Sequence, residues 1–291
     1  MDNLGYAVIQ ILVTGGTGYL GRHIVSLSKR LGLEAFSVGR SADADVSCDL
    51  RDRQQCMELV GQFPTAAIIH CAAVVPADRD GYSDQAAADD SILMVENLVA
   101  AGPPHMVFTS SMTVYPNGIG VAREADAEVT GNGYAAAKLA GERILLDHSG
   151  FSTIMLRLPG LFGSPRKDGL LFNVARRLVR GEPPQLSENL PQWAGLHIED
   201  AAEICVRAAM NPMRETLVLN AGYPDAMSIP NVMSKLAKIF GTELAVPEVS
   251  TFTFDLSHLV SKLGPISGNF QNRLEEFSNW VRHEVRAEGN D

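Results

Sequence analysis

Along residues 8–158 short apolar runs alternate with longer stretches of helical periodicity. VIQILV (8–13) reads as a buried strand, and a helix follows over about 19–31, ended near Gly32. LEAFSVG (33–39) is a second strand, and DADVSCDL (43–50) a short third strand ending at Asp49. DRQQCMELVGQ reads as a helix, AAIIHCAA as a strand, 84–101 as a long helix and HMVFTSS as the next strand. Residues 134–148 are helical in pattern, and STIMLRL closes the series as a strand. This rhythm predicts an α/β fold with a doubly wound parallel sheet and helices on both faces.

Alternation weakens after about residue 159. GLFGSPRKDG and RGEPPQLSENLPQ are rich in Gly, Pro and polar residues and flank a basic helix, LLFNVARRLVR. ETLVLNAG (215–222) reads as one more sheet strand, whereas 228–241 and 268–286 read as helices of a smaller region, the first with Pro230 near its start. The expected division is a sheet domain over 1–159 plus about 195–222, and a smaller mixed lobe over about 160–194 plus 223–291.

The first predicted strand runs into ILVTGGTGYLG, where Gly15, Gly18 and Gly21 recur at three-residue spacing. A helix N-terminus placed there offers free N–H groups and a favourable dipole to an anion. Gly15 permits the sharp turn, Gly18 lets a pyrophosphate approach the backbone, and Gly21 lets helix and strand pack closely. A glycine-rich turn without a ligand is the plain alternative, since a glycine pattern alone is weak. Its place between a good strand and a good helix in a long βαβ series points to a dinucleotide and a Rossmann-type sheet. The second strand ends in Gly39-Arg40-Ser41, without the acidic residue that bonds the ribose hydroxyls of NAD. Arg40, with Ser41 and Arg22, can instead grip a 2′-phosphate, which favours NADP over NAD.

Tyr134 and Lys138 lie one turn apart on a helix face. An unperturbed tyrosine is a poor base at neutral pH, and a nearby ammonium favours its phenolate. Tyr134 can then exchange a proton with a substrate hydroxyl or carbonyl while hydride moves at a nicotinamide. Such pairs also arise by chance on ordinary helix faces; the glycine turn and a serine-bearing strand end give this one its weight.

Together these segments resemble the extended branch of the short-chain dehydrogenase/reductase superfamily, the NAD(P)-dependent epimerases, dehydratases and reductases of nucleotide sugars. TGGTGYLG, CDLRD, IIHCAA, FTSSMTVYP, YAAAK, LRLPGLFG, LHIEDAAEICVRAA and TLVLNAG follow the family's motifs in order. The resemblance implies cofactor contacts at Gly15, Thr17, Gly18, Tyr19, Leu20, Arg40, Ser41, Asp49, Leu50, Cys71, Ala72, Ala73, Tyr134, Lys138 and Pro159. It implies a catalytic set of Ser111, Tyr134 and Lys138, with Lys138 also reaching the nicotinamide ribose and Ser111 bonding the reacting oxygen. Strand alternation turns the neighbouring Ser110 to the other face. Substrate contacts are expected from Val75, Ser111, Thr113, Gly160, Phe172 and Trp193.

Departures narrow the chemistry. Family dehydratases carry an Asp-Glu pair where this chain has Met112 and Thr113, and the 3,5-epimerase-reductases carry a cysteine at Thr113. What remains is ketone reduction, alcohol oxidation, or epimerisation at the oxidised carbon. Ser91 stands for a usual asparagine, Gly160 for the asparagine of RxxN, and Trp193 for an arginine on the substrate diphosphate. An aromatic cannot neutralise a diphosphate, though it can stack on a ring. Arg166, Lys167, Arg176, Arg177 and Arg180 are candidate substitutes, or else a solvated basic face. His197 reads as a structural histidine rather than a catalyst. A reductase of a non-nucleotide carbonyl compound, and a cofactor-bound regulatory subunit without turnover, are the competing readings.

Bulk properties fit a small-molecule enzyme. Net charge is −10, which argues against a nucleic-acid binder, and no apolar run approaches a bilayer span. The start, MDNLGYAVIQILV, has neither a basic n-region nor a small-residue cleavage site. Cys48, Cys56, Cys71 and Cys205 have no metal-type spacing, so no metal is expected and a reduced, cytoplasmic chain is the simpler reading. Related enzymes often dimerise through the helices corresponding to 84–101 and 134–148, which suggests a homodimer.

Overall fold

A computed structural model describes residues 9–73, 83–128, 133–148, 150–182, 184 and 192–288. The elements begin with β1 (Gln10–Thr14), α1 (Tyr19–Arg30), β2 (Glu34–Gly39), β3 (Val46–Ser47), α2 (Arg53–Gln62), β4 (Ala67–His70), α3 (Gln85–Ala101) and β5 (His105–Ser111). There follow β6 (Val121–Ala122), α4 (Tyr134–Leu146), β7 (Ser152–Leu158), β8 (Gly160–Phe162), α5 (Leu170–Val179), β9 (Gly195–His197) and α6 (Ile198–Ala209). The last are β10 (Leu217–Asn220), α7 (Ile229–Ile239), β11 (Thr253–Phe254), α8 (Ser257–Leu263) and α9 (Phe270–Glu288).

Seven strands form a parallel α/β sheet of Rossmann type in the order β10-β7-β5-β4-β1-β2-β3. The strands of this sheet are near-continuous apolar runs because both faces are covered by helices. Leu12, Val38, Ile68, Met106, Phe108 and Met155 carry its core. Registry aligns Thr14 with Val38 and His70, and His70 with Phe108, so β1, β2 and β4 finish within a residue of one another while β5 runs three residues further, to Ser111. The third strand is only two residues long. Asp45 turns back onto β2, its carboxylate accepting from the Ser37 N–H and hydroxyl at 2.8 Å each, which shortens the run expected over 43–50.

The chain divides into two compact units. The first takes Met1–Val114, Glu128–Arg157 and Ala202–Leu219; the second takes Tyr115–Ala127, Leu158–Ala201 and Asn220–Asp291. Residues 115–127 and 195–201 therefore pack with the smaller unit, although the strand pattern alone groups them with the sheet. Within the second unit β8 pairs with β9 and β6 with β11. Ser228 caps α7 through the Asn231 N–H, with Pro230 in the first turn. Phe162 meets Phe270 and Phe277 edge-on, at 5.8 and 5.6 Å between centroids. Two buried polar knots tie the segments. Tyr115 Oη donates to Asn220 Oδ1 at 2.5 Å while Asn220 Nδ2 donates to the Ala122 carbonyl at 3.0 Å. Tyr223 Oη donates to Asp200, which Arg273 also clasps, its Nε lying 3.1 Å from Oδ2.

Candidate functional site

The glycine turn is built to put backbone where side chains normally stand. Gly15 holds φ +67°, and its N–H donates to the Val38 carbonyl at 2.9 Å. A Cβ there would come within 2.9 Å of the Ala72 nitrogen, so the β1 and β4 ends approach as bare backbones. At Gly21 a Cβ would collide with the Gly15 carbonyl oxygen, which fixes how closely α1 descends on the turn. Gly16, which the three-residue spacing passes over, is equally constrained: a Cβ would meet Ser37 Cβ at 2.5 Å. Gly18 differs. It is exposed, meets only the Gly15 carbonyl, and is the N-cap of α1 without a side-chain cap. By contrast, Asp52 caps α2 and Asp84 caps α3 with side-chain bonds. The start of α1 carries no acidic residue in its first turn, so no side-chain charge there opposes the helix dipole, which would favour an anion. Thr17, Tyr19 and Leu20 surround it. Arg22 folds back on the turn, donating to the Thr17 and Gly18 carbonyls at 2.9 and 3.2 Å.

Across the strand ends a second layer forms. His70 Nδ1 lies 2.7 Å from Thr14 Oγ1, and Thr109 Oγ1 donates to the His70 carbonyl at 3.0 Å. Burial, helped by Lys138, drives the His70 imidazole down to about 3, so it is neutral. Cys71, Ala72 and Ala73 continue from it, half-buried. Burial pushes the Cys71 thiol up to about 12. Val75, expected at the substrate, lies outside the described residues.

Tyr134 is the first residue of α4, and α4 packs on β5. Lys138, one turn on, is only 5% exposed; its Nζ donates to the Thr109 carbonyl at 2.7 Å and sits 5.7 Å from the Tyr134 ring centroid. Burial lowers Lys138 to about 8, with Cys71 and Glu142 pulling the other way. Ser111 ends β5; its Oγ accepts from the Thr113 hydroxyl at 3.0 Å and the Thr113 N–H at 3.2 Å. Ser110 turns to the opposite side and donates to Glu142 at 2.5 Å.

At the outer rim, Arg40 and Ser41 are exposed beyond β2. Asp49 is held by Arg51, with Nη2 2.8 Å from Oδ2, and the guanidinium depresses the carboxyl to about 2. The Arg51 guanidinium also reaches Asp90 at 3.1 Å. Leu50, expected at the cofactor, is a side chain of the sheet core, and its carbonyl accepts from Asn97.

In the second unit, Gly160 and Gly195 face each other across the β8–β9 ribbon, with Pro159 leading in. The Trp193 indole lies over both: a Cβ at Gly160 would come 2.8 Å from its Nε1, and one at Gly195 2.5 Å from its ring. The two departures from the family pattern are thus one arrangement, in which glycine at 160 makes room for the indole. Phe172 corrects an expectation. It is 2% exposed and its ring packs 5.6 Å from Trp280, so it serves the unit's core rather than a substrate. Lys167 pairs with Glu284 at 2.5 Å, Arg180 with Glu288 at 3.5 Å and Arg177 with Glu182 at 3.7 Å. His197 is buried against Phe162 and accepts the Glu199 N–H on Nδ1 at 3.4 Å. Among the described residues no group of His, Cys, Asp and Glu is arranged to hold a metal ion, and no helix is long and apolar enough to cross a membrane.

The model of the NAD dependent epimerase/dehydratase family matches residues 11–222. The chain belongs to that family. UDP-glucose 4-epimerase of Azospirillum brasilense is 25% identical to this chain over 323 aligned positions, covering 96% of this chain and 89% of that protein. Methionine adenosyltransferase 2 subunit beta of Danio rerio is 26% identical over 211 residues, 71% of this chain; the match spans 65% of that protein, less than two thirds of its length. Among solved structures, the Thermus thermophilus UDP-glucose 4-epimerase in complex with NAD superposes with a TM-score of 0.76, covering 94% of this chain and 99% of that one at 20% identity. At that identity the likeness carries the fold.

Proposed function

We propose that this family member transfers hydride between a nicotinamide dinucleotide and a secondary alcohol or ketone of a nucleotide sugar, as an oxidoreductase or as an epimerase at the oxidised carbon. The observation that carries this reading is the buried Lys138, fixed to the Thr109 carbonyl one turn from Tyr134 on a helix packed against the Ser111 strand. The nucleotide-sugar part rests on the epimerase relatives.

The cradle fits a dinucleotide: three glycines hold it free of side chains and an uncapped helix start faces the anion. Gly15, Thr17, Gly18, Tyr19 and Leu20 would hold the pyrophosphate, and Cys71, Ala72, Ala73 and Lys138 the nicotinamide side. When bound, the cofactor supplies or takes up hydride. Tyr134 holds the exchanging proton on its phenol oxygen. The Lys138 ammonium, still largely protonated at neutral pH, favours the phenolate. Ser111 Oγ hydrogen-bonds the reacting oxygen and steadies its developing charge. Arg40 makes no ion pair among the described residues and is exposed just beyond the end of β2, which supports NADP over NAD.

Thermal shift tests the binding half: NADPH should stabilise far more than NADH, and UDP-, GDP- or dTDP-sugars should add to it. Tyr134→Phe tests the chemistry: it should keep NADPH binding and lose turnover. Unchanged turnover overturns the catalytic assignment; absent turnover in the wild type on every sugar and carbonyl offered moves the chain to a regulatory role, a reading motivated by the methionine adenosyltransferase subunit among its relatives. The Gly160–Trp193–Gly195 arrangement favours a second reading, a less charged carbonyl substrate lacking a diphosphate. In that case nucleotide sugars add nothing to the NADPH shift. All four cysteines are free thiols, which supports a cytoplasmic setting. A homodimer through α3 and α4, which present exposed Leu93 and Leu146, is the assembly we favour; size-exclusion mass reads it.

A further inference from the structure

The proposed hydride transfer leaves unused the most deeply buried ion pair among the described residues of the first unit. Glu142, on α4 one turn beyond Lys138 and two beyond Tyr134, is fully buried. Arg157 of β7, also buried, clasps it with both arms, Nε to Oε1 at 2.9 Å and Nη2 to Oε2 at 2.6 Å. Ser110 Oγ donates to the same Oε1. Two charges in so dry a place cost desolvation that their attraction barely offsets, so an apolar pair of similar volume would serve stability as well.

Its position shows another use. Three consecutive residues of β5 serve α4 or the proposed reaction: the Thr109 carbonyl accepts from Lys138, the Ser110 hydroxyl donates to Glu142, and Ser111 carries the hydroxyl that would meet the reacting oxygen. One carboxylate therefore ties the helix of Tyr134 and Lys138 to the strand of Ser111, and ties both to β7. We propose that Glu142 is a positioning residue for this proton-transfer set, locking α4 in register on β5 and lending its negative charge, tempered by Arg157, to keep Lys138 protonated. The proposal rests on the hydride-transfer reading for its purpose and on the hydrogen bonds for its geometry.

The groups facing Lys138 are few. From β4 come the neutral His70 and the Cys71 thiol; from β5 the Thr109 carbonyl and the Phe108 ring, 4.9 Å from Nζ; from α4 itself Tyr134 and Glu142. Glu142 is the one carboxylate among these described groups. Burial already draws Lys138 down, so loss of that charge should show directly in its titration.

The test is a 13C NMR titration of lysine side chains in the full-length protein, with the Lys138 resonance assigned from Lys138→Arg. In Glu142→Gln the Lys138 midpoint should fall by about one pH unit. In Glu142→Gln/Arg157→Met, which removes both charges and keeps the pair neutral, the fall should be smaller. An unmoved midpoint in Glu142→Gln with a lowered melting temperature makes Glu142 a stability residue alone and overturns the proposal. Should the single variant not fold, the double variant decides: a midpoint below wild type supports the proposal, an unmoved one overturns it. The titration needs no turnover, so its outcome is independent of Tyr134→Phe: a shifted Lys138 beside an unimpaired Tyr134→Phe would sink the proposed reaction and leave the positioning intact.

Discussion

The two units bury polar groups to different ends. In the first, buried side chains of α4 and of the strand ends include several bonded to a neighbouring element's backbone or to a paired ion: Lys138 to Thr109, Thr109 to His70, Glu142 to Arg157. In the second, the buried Asp200 is shared between a phenol and an arginine that is itself partly exposed and linked to surface carboxylates. Burying charge in the first unit fixes the side chains of the proposed reaction; burying it in the second joins segments distant in sequence. The first arrangement should therefore be the costlier to disturb and the second the more forgiving.

The sharpest way to break this comparison is to strip one partner from each pair. Arg157→Met leaves Glu142 sealed away without a counter-charge and should cost about 4 kcal/mol in denaturant unfolding of the full chain. Arg273→Met should cost less, about 2 kcal/mol, because Asp200 keeps the Tyr223 bond and the Arg273 side chain is 21% exposed. Equal losses would erase the distinction. Between these two in size is the pH dependence of the first unit. Lys138 titrates near 8 when folded and near its ordinary value when unfolded, so between these the unfolded chain holds more protons. Stability should therefore rise with pH from about 8 to about 10.4, by as much as about 3 kcal/mol, and Lys138→Met should flatten that rise.

Smaller effects sharpen the account of the glycine turn. Gly21→Ala should destabilise by about 2 kcal/mol, since only backbone can yield to the new methyl. Gly18→Ala should stay folded while the NADPH-induced thermal shift shrinks, because Gly18 faces outward. A stable Gly21→Ala would mean that α1 is free to lift from the turn. Smallest of all, Lys167→Ala should change unfolding free energy by less than about 1 kcal/mol, as an exposed ion pair does.

Much of the first unit was legible because its signals are local. A parallel sheet announces itself in apolar runs, and Gly15, Tyr134 and Lys138 sit at spacings that one turn or one helix face dictates. Their tertiary partners were not legible. Gly16 is needed because Ser37 of the next strand crosses it, and Glu142 meets Arg157 across fifteen residues and a change of element. Gly160 and Trp193 each read as an isolated departure; only the pairing of two short strands makes them one arrangement. Phe172 went astray for the same reason: an aromatic at the start of an amphipathic helix looks the same whether it faces a ligand or Trp280. In the strands, β6 and β11 are two residues each, too short for any alternation to register.

During synthesis these two short strands are far apart in time. Strand β6 finds its partner only in Thr253–Phe254, more than a hundred residues later in the chain. At ribosomal rates of about 5–20 residues per second, β6 emerges on the order of ten seconds before β11 exists. Throughout that wait the nascent chain carries a strand with a bare edge and an incomplete second unit, a natural client for the chaperones that meet polypeptides at the exit tunnel.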